Sequence, residues 1–388
     1  MGKKVGIITY HSAYNFGSVL QAYATQESVE AMGYSASIIN YRMRSQYEYY
    51  KTFHFRTGGS TLAKDILKLP ILNKYIKRNR RFEKFISALH LTPEFSEPEE
   101  SHAFSESFDV YVSGSDQIWN KHSNELSTVD WKYMNPYLLT FTKKRKISYA
   151  SSIVNMSDSE LEKIAGAVTE FQGVSFRERE SCDRFRRVTG LRSDSVIDPT
   201  LLLTSNKWKS IMSAPLKGLE GTDYVLYYAL EGVKQTSKIL PQLKKFAEKH
   251  QWKLVVVTPL SPVANSAGII NAIDAGPTEF LRLVADAKLV LTNSYHGTLF
   301  SINLKTNFYT IRQSSSKDQR FIGILSAVGL EDRIISSLDD IADVIPDVDF
   351  ESAHEKLDAL RKQSIEYLRF QLENSVNLAG DRSHGGAI

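Results

Sequence analysis

Five short polar clusters hold the residue types that could do chemistry in this chain. The first is Leu291-Thr292-Asn293-Ser294-Tyr295-His296-Gly297-Thr298, between an apolar run and Leu299-Phe300-Ser301-Ile302. His296 can gain or lose a proton near neutral pH. Ser294, Tyr295, Gly297 and Thr298 surround it at a strand-to-helix turn, where free backbone N–H groups and the helix dipole favour an anion. The alternative is a histidine that only caps its own helix. The second cluster is Ser175-Phe176-Arg177-Glu178-Arg179-Glu180. A guanidinium at a strand end suits bidentate phosphate or carboxylate binding, or it pairs with Glu178 or Glu180. The third, Ser113-Gly114-Ser115-Asp116-Gln117-Ile118-Trp119-Asn120, suits a sugar. Asp116 and Gln117 can bind hydroxyls, and the Trp119 indole can cover a ring face; the alternative is a turn followed by a buried Trp. The fourth, His11 to Ser18, offers Asn15 and Ser18, with Gly17 permitting a tight turn and Ser18 placed to cap a helix. The fifth, Ser316 to Phe321, puts Lys317 and Arg320 in a helix's first turn, where an anion would offset their unfavourable position. These parts suit acid–base work on an anionic substrate and a saccharide.

Other chemistries lack their residues. No metal-ligand spacing, P-loop, Gly-x-Gly-x-x-Gly or Gly-x-Ser-x-Gly is present, so no metal and no resident cofactor are expected. A single cysteine, Cys182, excludes an internal disulfide. The opening residues have too short an apolar run for a signal peptide, and no run of roughly 18 apolar residues occurs. A protein kept in a reducing cytosol is expected.

The elements that must position these clusters alternate. Apolar runs at 4–10, 37–41, 109–113, 146–151 and 174–176 predict buried strands, with helical spacing at 18–32, 159–171 and 178–188. A break near Asp198-Pro199 and the polar stretch 204–222 precede a second alternation. Its strands are expected at 224–229, 253–258, 288–292 and 308–311, its helices at 236–250, 277–285 and 295–303. Two consecutive α/β halves predict two doubly wound, Rossmann-like domains facing a cleft. The expected bounds are 1–204 for an acceptor-side domain and 205–345 for a donor-side domain. A last helix within 346–378 is placed to pack back on the first domain, and 379–388 forms a flexible tail.

The stretch 42–84 differs, and predicts a basic helical insertion at about 42–90. Arg and Lys far outnumber acids there, and aromatic and aliphatic residues are interleaved. One reading is a surface resting on anionic lipid, each basic residue contributing about 1 kcal/mol there. The other is a helical insertion whose apolar face packs on the domain and whose charges are solvated. No nucleic-acid module accompanies the charge, so nucleic acid is not an expected partner.

Taken in order, the pieces resemble the polysaccharide pyruvyl transferase family. They are Asn15-Phe16-Gly17-Ser18-Val19-Leu20-Gln21-Ala22-Tyr23, Gly114 to Asn120, Ser175 to Glu178, Asp198-Pro199-Thr200-Leu201-Leu202-Leu203, Thr292 to Thr298, and Arg320. The resemblance implies a fold similar to the glycosyltransferase B type. It also implies transfer of a pyruvyl group from phosphoenolpyruvate to two hydroxyls of one sugar, with release of phosphate. On that footing His296 and Asp116 are the expected catalytic residues. Arg177, Arg320, Ser294, Tyr295, Gly297, Thr298 and Lys317 are the expected donor side; Asn15, Ser18, Gln117 and Trp119 the acceptor side. Many relatives carry Arg two residues before the histidine, where this chain has Ser294. A membrane-resting insertion would make the acceptor a lipid-linked saccharide. The alternatives are a nucleotide-sugar glycosyltransferase, for which Glu231 is the candidate ribose ligand, and a non-catalytic saccharide-binding relative.

Overall fold

The computed structural model describes residues 2–50, 72–261, 263, 267–313 and 315–373. Part of the basic insertion (51–71) and the expected tail lie outside the described residues. The first sheet is parallel, in the order β2-β1-β3-β4. Its strands are β1 (Lys4–Ile8), β2 (Ser35–Ile38), β3 (Val110–Ser113) and β4 (Arg145–Ser148). Parallel bridges Ile147–Gly173 and Ser151–Phe176 carry β5 (Ser175–Phe176) along its edge, and β6 (Asp194–Ser195) pairs with β5.

The second sheet is also parallel, in the order β12-β11-β10-β7-β8-β9. It is built from β7 (Tyr224–Tyr228), β8 (Lys253–Val257), β9 (Ile269–Asn271), β10 (Leu289–Thr292), β11 (Phe308–Ile311) and β12 (Ile334–Ile335). Sequences such as YVLYY, LVLT and VYVS are buried throughout, as parallel strands covered on both faces must be. Strand order reverses between β1 and β3 in one sheet and between β7 and β10 in the other.

Helix α1 (Phe16–Ala31) starts two residues earlier than the sequence periodicity indicates. Asn15, not Ser18, is its cap: Asn15 Oδ1 accepts from the Gly17 N–H at 3.0 Å. Helix α2 (Leu72–Ile86) ends the basic insertion. Aromatic rings join the halves: Phe16 stacks on Phe280 at 4.4 Å and packs against Phe82 and Tyr228. Burial of each phenylalanine is worth about 1.5–3 kcal/mol.

Helix α2 also reaches across. Lys74 Nζ donates to Asn271 O at 2.6 Å, Lys77 pairs with Asp274 at 2.9 Å, and Arg81 pairs with Asp274 and Glu279 at 3.3 and 3.0 Å. These basic side chains are engaged with the second domain; Arg80 is exposed. Neither reading foresaw this: at α2 the charges are engaged with the second domain rather than solvated. No helix among the described residues is long and apolar enough to cross a membrane.

Five further helices complete the frame around the cleft: α3 (Arg179–Thr189), α4 (Pro277–Ala285), α5 (Tyr295–Leu304), α6 (Ser315–Val328) and α7 (Phe350–Glu373). Helix α7 packs on both domains rather than on the first alone. His354 Nε2 meets Ile302 O at 2.8 Å, and Arg361 Nε donates to Leu201 O at 2.7 Å. Further along, Ser364 Oγ accepts from Ile197 N–H at 3.0 Å, and Gln371 O accepts from Arg145 Nε at 2.9 Å.

Candidate active site

Each reversal of strand order leaves a crevice at the carboxyl ends of its strands, where open α/β sheets bind ligands. Here the two crevices face each other across one cavity of about 410 Å³. Asn15 reaches it from the turn after β1, Ser18 from the first turn of α1, and Asp116 and Gln117 from the turn after β3. Ser294 reaches it from the turn after β10, Tyr295 and His296 from the first turn of α5, and Arg320 from α6. Eight residues singled out from sequence are thus brought to one cavity.

The imidazole of His296 is buried. Its Nε2 lies 3.5 Å from Asp198 Oδ2, an ion-pair separation rather than an aligned hydrogen bond. Its Nδ1 faces the start of α1, and a Cβ on Gly17 would fall 2.0 Å from that atom. Glycine at position 17 is therefore what lets the ring of one domain lie against the helix of the other.

Asp198 caps its own short helix: Oδ1 accepts from Thr200 N at 3.0 Å and Thr200 Oγ1 at 2.7 Å. Its Oδ2 accepts from Arg177 Nη1 at 2.9 Å. Burial would raise the Asp198 pKa, but His296, Arg177 and the Thr200 N–H outweigh it and hold the carboxyl below the usual range.

Arg177 is the hub. Its side chain is 0% exposed. Besides Asp198 it donates to Glu178 at 3.1 Å and Asp116 at 3.4 Å, and it lies over the Tyr295 ring at 4.7 Å. Burial alone would lower its pKa; Glu178 and Asp116 lead the carboxylates that drive it up instead. An isolated buried guanidinium would cost several kcal/mol, and this one is compensated on every side. Arg177 is therefore paired rather than open to an anion: it ties together three carboxylates of the first domain, Glu178, Asp116 and Asp198, and does not itself line this cavity.

Asp116 Oδ2 accepts from Ser18 Oγ at 2.8 Å, and Oδ1 accepts from Gln117 N–H at 2.9 Å. Its turn is fixed from behind by Gln21, whose Nε2 donates to Thr9 Oγ1 at 2.7 Å and whose Oε1 accepts from Ser115 N–H at 3.2 Å. Arg320 is partly buried, and desolvation and then the nearby Arg177 lower its pKa. Arg179 is exposed on α3 and does not line this cavity.

Besides Arg177, three expected contacts among the described residues do not line the cavity. Trp119 is 0% exposed and packs edge-on against Phe171 and Phe176. Its Nε1 donates to Ser113 Oγ at 3.0 Å and Tyr137 O at 3.1 Å, so the buried-Trp reading holds and an acceptor ring cannot stack there. Thr298 is buried behind the turn, its hydroxyl shared with Thr310 at 2.8 Å. Gly297 N–H is taken by the Ser294 cap at 3.4 Å, so Ser294 rather than His296 caps α5. Lys317 falls within α6, and its side chain lies outside the described residues. Glu231 accepts from Tyr227, Thr236 and Asn293 at 2.7, 3.1 and 3.1 Å, which occupies the candidate ribose carboxylate.

Sequence reasoning missed Arg78 and Tyr228, which also line the cavity. Tyr228 is a strand residue of a fully apolar-looking run. Arg78 was one cation among many.

Two parallel, doubly wound domains whose carboxyl strand edges face one cavity define a Rossmann-like protein of the glycosyltransferase B type. The profile of one family, polysaccharide pyruvyl transferase, matches residues 15–315. The chain belongs to the polysaccharide pyruvyl transferase family. No curated protein matches it in sequence. Among solved structures it is similar to a putative UDP-N-acetylglucosamine 2-epimerase from Listeria monocytogenes, at 9% identity and TM-score 0.49, over 95% of this chain and 91% of that one. The UDP-GlcNAc 2-epimerase of Methanocaldococcus jannaschii gives 12% identity and TM-score 0.49, over 96% and 100%.

Proposed function

We propose that this chain transfers the pyruvyl group of phosphoenolpyruvate to two hydroxyls of one sugar in a polysaccharide or its precursor. The product is a cyclic ketal, and phosphate is released. The observation that carries the reading is that His296 and Asp116, from opposite domains, share one cavity in a chain of this family.

The methylene carbon of the donor takes a proton, which leaves an electron-poor central carbon. One sugar hydroxyl attacks that carbon. The C–O bond to phosphate then breaks, and the second hydroxyl closes the ketal. One hydroxyl proton ends on the new methyl group and the other on phosphate. His296, with Asp198 behind Nε2, is the acid for the methylene carbon or the departing phosphate. Asp116 is the base or orienting group for an acceptor hydroxyl, steered by Ser18 and Arg177. Arg320 supplies positive charge for the donor, and Asn15 and Gln117 line the acceptor side.

The test is phosphate release from phosphoenolpyruvate with a panel of short and lipid-linked saccharides. Acceptor-dependent release that falls at least about 100-fold in His296→Ala is expected for loss of a general acid. Release that needs no saccharide, or survives that substitution unchanged, would overturn the reading.

A further inference from the structure

Residues Lys74, Lys77, Arg78 and Arg81 recur at the spacing of one helix face, and they share one stripe of α2. Three of them bind the second domain through Asn271, Asp274 and Glu279. Arg78 does something else. It is 5% exposed, its Nη2 donates to Tyr14 O, and its guanidinium lies 4.9 Å over the Phe82 ring. It forms part of the wall of the His296 cavity, together with Ser294 and Arg320.

Its placement is fixed twice. The carbonyl and the aromatic face hold the guanidinium, and the flanking cations hold α2 against the domain that carries His296. Tyr228 lies in the same neighbourhood: burial pushes its hydroxyl up to about 12, with Ser294 and the charge of Arg78 opposing the rise. Ser294 brings no charge to this wall, whereas Arg78 does. A donor with separate phosphate and carboxylate groups calls for two cations at a distance, and the cavity offers Arg320 from α6 and Arg78 from α2.

We propose that Arg78 is a donor-binding residue, taking one acidic group of the pyruvyl donor while Arg320 takes the other. This rests on the function proposed above. It makes the basic insertion part of the active site rather than a surface appendage.

Calorimetric titration of the full-length protein with phosphoenolpyruvate, and separately with UDP, tests it. Arg78→Gln is expected to weaken phosphoenolpyruvate binding by about 10- to 100-fold, the usual effect of losing a charged hydrogen-bonding partner. Arg78→Lys, which keeps the charge without the planar fork, should recover part of that loss. Arg80→Gln, two residues along the helix and exposed, should bind as the wild type does. If Arg78→Gln does not fold, Arg78→Lys carries the test through a weakening of at least about threefold. Phosphoenolpyruvate binding to the Arg78 variants within twofold of wild type would overturn the inference and leave the proposed function standing. A wild type that binds UDP but not phosphoenolpyruvate would overturn both.

Discussion

Substituting Gly17 by alanine tests whether the two domains meet through His296. An ideal Cβ there falls 2.0 Å from Nδ1 and 2.3 Å from Cγ of the ring. Ordinary contact needs about 3.5 Å, so the ring must retreat by about 1.5 Å. A displacement of about 1 Å at a reacting group can cost 100-fold in rate. Overpacking costs about 1–3 kcal/mol, while alanine in place of a helical glycine returns about 1 kcal/mol. Gly17→Ala should therefore lose phosphate release by about 100-fold with a net stability change between about 0 and −2 kcal/mol. In a His296→Ala background the clash is gone, and Gly17→Ala should stabilise by about 1 kcal/mol. The assay is a double-mutant cycle by urea denaturation, paired with single-turnover phosphate release. Additivity of the two substitutions to within about 0.5 kcal/mol would refute the reasoning, because it would mean that the ring and the helix do not touch.

Asp198→Asn strips a charge from both Arg177 and His296 and should destabilise by about 3–5 kcal/mol, read by denaturant midpoint; a loss below about 1 kcal/mol would contradict the hub geometry. Trp119→Phe should cost about 1–3 kcal/mol through the two lost indole hydrogen bonds while KM for the acceptor stays unchanged; a raised KM would return Trp119 to the sugar site. His11 is buried between Thr9 O and Asn40 Oδ1, and burial, opposed by those two oxygens, lowers its pKa to about 4. Below about pH 6.5 the unfolded chain binds a proton that the native chain refuses, so stability should fall by about 3 kcal/mol from pH 6.5 to 4. His11→Gln should flatten that part of the stability profile in thermal melts, and an unaltered slope would exclude His11 as its source.

The doubly wound plan was legible because parallel strands are written as continuous apolar runs, and because Ser294, Asp116 and Asn15 lie in the polar turns that follow such runs. The short strands β6, β9 and β12 were not, since two or three residues carry no period. Trp119 was misread because a tryptophan beside polar residues has the same local pattern whether it faces a sugar or a core. Arg78 escaped for a different reason. Its guanidinium is held by Tyr14, and its helix by the remote Asp274 and Glu279 through Lys77 and Arg81, and nothing local to 72–86 announces them. Arg177 was seen, but its third carboxylate, Asp116, lies 61 residues away.

Helices α2 and α7 span the molecule independently, one through Asp274 and Glu279, the other from Ile302 to Arg145. Rotating one domain away from the other would have to break the contacts of both helices, those at Asp274 and Glu279 and those at Ile302 and Arg145. Under the proposed function, the cavity of about 410 Å³ would admit a small donor whole, and a polymer would offer it a single sugar from the rim.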